Sequence, residues 1–130
     1  NDRMIDLFES HTAETNSNNK KERNFLRSQA NSTLSIFDRI VEKTLSILNE
    51  LVVAGNITNK LPDSTENIEI YQDLSYALYT ARIHANELID SLISDGDIRE
   101  TYKLIAQLQE QCDFLEKGNS NAKKYLLSLF

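Results

Sequence analysis

The strongest constraint in this chain lies between Tyr71 and Leu92, where Tyr71, Leu74, Leu78, Ala81, Ala85, Leu88 and Leu92 follow an unbroken 3-4-3-4-3-4 spacing. At 100° per residue that spacing lines one side of a helix with apolar groups, the a/d seam of a bundle or coiled coil. Two other segments repeat the pattern. Leu26, Ala30, Leu34, Phe37, Val41, Leu45, Leu48 and Val52 recur in steps of three and four. Phe25, Ile36, Ile40, Ile47 and Leu51 widen that face to about half the circumference, so this first helix must touch more than one neighbour. Ile98, Thr101, Ile105, Leu108, Cys112 and Leu115 form a third seam, whose register Ala122, Leu126 and Leu129 continue.

The punctuation of the chain agrees with helices throughout. Only one proline and three glycines occur in 130 residues, whereas β sandwiches and barrels use such residues in turns every ~8–12 positions. Asn19 with Glu22 resembles a capping box and predicts a helix start near residue 20. Ala54-Gly55-Asn56 predicts its end, and an irregular connector runs to Pro62. Asp63 with Glu66 and Asp97 with Glu100 form two further capping boxes, and the break at Ser94-Asp95-Gly96 is so short that the next helix folds back antiparallel. Gly118-Asn119 marks a stop or a kink. Upstream, Met4, Ile5, Leu7 and Phe8 read as a short helix and Thr12 to Asn19 as a polar connector. The expected fold is all-α: an antiparallel three-helix bundle with a short extra N-terminal helix and a helical C-terminal extension. Residues 1–19 are then a short helix plus linker, and residues 20–130 a bundle with helices at about 20–54, 64–93, 97–117 and 120–130.

Charge and cysteine content narrow the function classes. With 14 basic against 20 acidic side chains the net charge is −6, which argues against a domain whose main work is binding nucleic acid. The basic cluster Lys20, Lys21, Arg23 and Arg27 reads as a solvated helix start, with contact to an acidic lipid head group as the alternative. Cys112 is the lone cysteine and cannot form an internal disulfide, which suits the cytoplasm or nucleus. No apolar run approaches the ~20 residues that span a bilayer. The start at Asn1 and the end inside Leu126-Leu127-Ser128-Leu129-Phe130 predict a piece of a longer protein, whose other domains would supply any peripheral membrane association.

Signals for chemistry are sparse. The two histidines, His11 and His84, belong to no His-x-x-x-His, Glu-x-x-His or Cys-x-x-Cys spacing that would close a metal site. His84 reads as a solvated residue near Glu87, and Cys112 as a core residue between Leu108 and Leu115 rather than a nucleophile. Phosphate-cradling glycine motifs are absent. The expectation is a non-catalytic chain without metal or cofactor. One surface feature stands out: with the seam facing the core, Tyr76, Tyr79 and Ile83 fall on the opposite side of the second helix, joined by Ile68. Apolar residues at that spacing on an outward face call for a partner, either a fourth helix from residues 1–12 or 120–130 or a separate protein.

From about residue 24 to residue 118 the layout resembles a GAT domain, the three-helix module of the GGA and Tom-type endosomal sorting adaptors. The similarity rests on a first helix ending in Leu48-Asn49-Glu50-Leu51-Val52 and a second helix entering through Asn67-Ile68-Glu69-Ile70-Tyr71-Gln72-Asp73-Leu74. Ala81-Arg82 follows mid-helix, then Glu87-Leu88-Ile89-Asp90-Ser91-Leu92-Ile93 before an acidic turn, and the third helix opens with Asp97-Ile98 and carries Leu104-Ile105. The family's Asn-Asp-x-Leu element is replaced here by Ala106-Gln107-Leu108-Gln109-Glu110, and the N-terminal segment does not match the hook that binds Arf-type GTPases.

The resemblance implies a cytoplasmic adaptor in vesicle or endosomal protein transport, peripheral to endosome or Golgi membranes, that binds ubiquitin on its first two helices. Ubiquitin offers a small apolar patch ringed by basic residues. Ile68, Glu69, Ile70 and Asp73, with Leu48 and Leu51 from the first helix, would meet it. Two other readings remain open: a subunit interface of a larger assembly, with Tyr76, Tyr79 and Ile83 covered by a partner chain, and a SNARE-type N-terminal regulatory bundle.

Overall fold

The computed structural model describes the backbone of residues 2–57 and 64–130 and the side chains of residues 19–56 and 65–130. Among them the chain forms three helices and no strand: α1 (Asp2–Ile57), α2 (Ser64–Ile93) and α3 (Ile98–Ser128). Each helix packs on both others. Thr33 and Thr44 of α1 meet Gln109 and Asn119 of α3 in the same order, so α1 and α3 run parallel, while the short turn after α2 makes that helix antiparallel to α3. No helix of the described residues is long and apolar enough to cross a membrane.

The three seams meet in one core. Leu74, Leu78, Ala81, Ala85 and Leu88 of α2 are buried, as are Ile105, Leu108, Cys112 and Leu115 of α3. From α1 the core takes Leu26, Ala30, Phe37, Ile40, Ile47, Leu48 and Leu51, an arc that faces two neighbours, whereas Phe25, Ile36, Leu45 and Val52, expected on that face, are exposed at its edges. That apolar arc supplies most of the driving force, since isolated helices gain little from propensity alone.

Two expected boundaries differ. The sequence predicts a short helix at 1–12 and a connector at 12–19, whereas α1 is one helix from Asp2, with Asn19 and Glu22 inside it rather than capping it. No proline or glycine precedes Gly55, and asparagine, serine and threonine lower helix propensity by only tenths of a kcal/mol each without interrupting the hydrogen-bond ladder. Likewise α3 runs through Gly118-Asn119, so residues 120–130 extend α3 instead of packing back as a fourth helix. Gly118 serves a close approach: a Cβ there would lie 3.1 Å from Leu74 Cδ1 on α2. Asn119 takes the next seam position and is fully buried. The predicted cap Asp63, Pro62 and the side chains of Met4 to Phe8 lie outside the described residues.

The α2–α3 turn is a Schellman motif. Gly96 N–H donates to Ser91 O at 2.8 Å and Asp95 N–H to Leu92 O at 3.4 Å, and Asp95 takes the left-handed conformation, φ 50°. Asp97 then caps α3, its carboxylate accepting from Arg99 N–H at 2.8 Å. The expected return contact from Glu100 is replaced by a pair with Lys103 at 3.2 Å. Ser91 Oγ lies 2.5 Å from Thr101 Oγ1, whose own proton goes to Asp97 O, so Ser91 is the donor.

Candidate protein-interaction site

Helix α2 carries most of the residues singled out from the sequence, and its rotation of 100° per residue sends them to different surfaces. Ile68 is exposed and lines a groove of about 410 Å³ between the end of α1 and the start of α2, together with Val52, Gly55, Tyr71 and Gln72. Ile70, half-buried, and Asp73, exposed, line a second groove, between α2 and α3. This groove has a floor of Ala77, Gly118 and Ala122 and an exposed wall in Phe114, and encloses about 230 Å³. An adjoining hollow of about 370 Å³ adds Tyr76, Thr80 and Gln111. Glu69, Tyr79 and Ile83 are exposed and line neither groove. Tyr76 and Tyr79 are among the most exposed large apolar residues, at 73% and 64%.

Leu48 and Leu51, expected at the same surface, belong to the core, at 8% and 0% exposure. The apolar arc of α1 is wide because two helices pack on it, and its centre rather than its edge carries these leucines. Leu51 still lines the α1–α2 groove from within the core, Leu48 does not, and Val52, one residue on, is the exposed side chain that α1 brings to it.

The α1–α2 groove is held by a polar clasp. Asn67 sits at a seam position, four residues before Tyr71, and is buried. Its Nδ2 donates to Leu51 O near the end of α1 at 2.8 Å, while its Oδ1 is buried without a partner. The contact needs a glycine opposite, since a Cβ at Gly55 would lie 2.8 Å from Asn67 Nδ2. A donor supplied by α2 thus adds a second hydrogen bond to a carbonyl two turns from the end of α1 and ties the groove's two walls together.

Val52 and Tyr71, which their spacing set on core-facing seams, are exposed groove residues, and Phe114 is a groove residue that no seam placed. Phe114 carried a signal, because it is a large aromatic outside the α3 seam. The signal for Asn67 was a polar residue at a seam position.

The remaining candidates have structural places. Arg27 Nη2 meets Asp95 Oδ1 at 2.5 Å, and Arg23 Nη1 lies 3.9 Å from the same oxygen and donates to Gly96 O at 3.4 Å. Half of the basic cluster therefore pins α1 to the α2–α3 turn, leaving Lys20 and Lys21 exposed. His84 is half-buried with its Nδ1 out of solvent and unpartnered, rather than on the solvated face. Cys112 is buried, and its thiol is pushed up to about 11 by burial first, then by the neighbouring charges of Glu116 and Asp113. It stays protonated at neutral pH, the opposite of what a nucleophile needs. No cluster of histidine, cysteine and carboxylate side chains suited to a metal ion occurs among the described residues. No known protein family, curated protein or solved structure matches this chain.

Proposed function

We propose that this chain is a non-catalytic interaction module of the GAT type, an adaptor in endosomal or vesicle transport on the cytoplasmic side of the membrane, and that it binds ubiquitin at the α1–α2 groove. The observation that carries the reading is the apolar groove at Val52, Ile68 and Tyr71, with Glu69 exposed one residue beyond Ile68 on the same helix. An apolar patch ringed by basic residues meets complementary chemistry there. The contact is small, so affinity is weak and rests on a few side chains worth about 1–2 kcal/mol each.

The test is a titration of isotope-labelled ubiquitin with the domain. Perturbations confined to ubiquitin's apolar patch, weakened about tenfold by Ile68→Ala, agree with the proposal; an unperturbed spectrum at millimolar domain rejects it. A second reading, a permanent subunit interface, draws on the exposure of Tyr76 and Tyr79.

A further inference from the structure

Residues 117–130 carry Lys117, Lys123 and Lys124 and no acidic side chain, within a protein of net charge −6. Helix α3 sets Lys123 and Lys124 four and three residues before Leu127, so both ammonium groups flank that leucine on one face. All three lysines are exposed, and none is in an ion pair among the described residues. Leu127 is 70% exposed and Phe130, seven residues after Lys123, is 82% exposed. Ala122 and Leu126, on the other side of the same turns, are buried and hold this face outward.

We infer that this end of α3 docks on an anionic lipid surface, with Lys117, Lys123 and Lys124 at the head groups and Leu127 and Phe130 in the interfacial layer. Basic residues beside bulky apolar ones on one helix face are what an interfacial helix presents to acidic lipids. The two apolar side chains line neither groove on α2 and stand on a convex helix surface. A fluid lipid interface closes around a convex surface, whereas a folded protein would need a matching hollow. The overall acidic charge acts on the contact only through carboxylates within the screening length of about 8 Å at physiological salt, and the stretch 117–130 itself carries none. The nearest carboxylates along α3, Asp113 and Glu116, precede the lysine-rich stretch. The inference uses none of the residues assigned to ubiquitin, so either stands without the other.

The experiment is flotation of the whole chain with phosphatidylcholine vesicles with and without phosphatidylserine. Binding should require phosphatidylserine and weaken as salt rises. Each lysine near such a surface is worth about fivefold in partitioning, so the double variant Lys123→Glu, Lys124→Glu should lose at least about twentyfold. Leu127→Ser should lose several-fold more without changing the salt dependence. All these positions are exposed, and an unchanged helical circular dichroism spectrum confirms that the variants fold. The inference is overturned if the native chain does not float with acidic vesicles, or if the double variant floats as well as the native chain. Binding to polyglutamate that equals binding to the vesicles and ignores Leu127→Ser also overturns it, assigning the lysines to an acidic polypeptide.

Discussion

The contact of α1 with α3 and the contact of α2 with α3 solve one packing problem by opposite means. Between α2 and α3 the device is close approach: Gly118 lies under Leu74, with Ala77 and Ala122 beside them, and a hydroxyl pair, Ser91 and Thr101, lies near the turn. Between α1 and α3 the contact is built on amides. Thr44 Oγ1 donates to Ile40 O at 2.8 Å and accepts from Asn119 Nδ2 at 2.9 Å. Thr33 repeats the arrangement three helical turns earlier, donating to Gln29 O at 3.0 Å and accepting from Gln109 Nε2 at 3.3 Å. In each case a threonine spends its proton on its own helix and offers its lone pair to α3. The difference follows connectivity. A tight turn fixes the register of α2 against α3, but α1 and α3 are parallel and joined only by way of α2. Nothing covalent stops them sliding by a turn, and a buried hydrogen bond that forms in one register only does.

The largest test of that contrast is Asn119→Asp. It puts a carboxylate at a fully buried position whose Oδ1 already lacks a partner. The expected loss at neutral pH is about 3–5 kcal/mol, measured by urea denaturation. Burial raises the carboxyl's pKa, so the loss is present above that raised value and shrinks as acid protonates the group, which can then donate to Thr44. If the variant is as stable as the native chain at neutral pH, the α1–α3 register does not depend on this amide.

A second test addresses the apolar stretch of α3 between the two amide contacts, where Cys112 lies. Its pKa is raised in the folded chain from 9.0 to about 11, so the folded state keeps a proton that the unfolded state releases first. The stabilisation is therefore complete below about pH 9 and is lost as pH rises toward about 11, by about 2 kcal/mol over that window. Other groups titrate in the same range, so the measurement is the difference between the native chain and Cys112→Ala. The native chain should show the steeper alkaline loss, and equal slopes would mean that the thiol meets solvent.

What the sequence made legible divides along the same line. The seams were readable because 3-4 spacing is a local property, and so the three-helix core follows from Tyr71 to Leu92 and its two partners. Asn119 occupies a seam position too, but Gly118-Asn119 is also the composition of a helix stop. Only Thr44, 75 residues away, decides which role it plays. Leu48, Leu51 and Val52 show the same limit at the α1–α2 groove. All three lie on one apolar arc, and which of them reaches the surface depends on where α2 docks. The pairing of Arg27 with Asp95 was invisible for a similar reason, because a basic helix segment looks solvated until the turn that meets it is placed.

The smallest expected effect is at that turn, and its smallness sharpens the comparison. Asp95 bridges Arg23 and Arg27 while holding a left-handed backbone, so it looks like a third lock on α1. Its carboxylate is more than half exposed, and exposed pairs contribute only about 0–1 kcal/mol. Asp95→Asn keeps a side chain that tolerates the left-handed conformation and removes only the charge, so its cost should stay near 0.5 kcal/mol and vanish in high salt. Asp95→Gly should cost even less, because the freer backbone offsets the lost pair. If Asp95→Asn instead approached the effect of Asn119→Asp, the register of α1 would be set by charge at the end of the bundle rather than by the amide in its core.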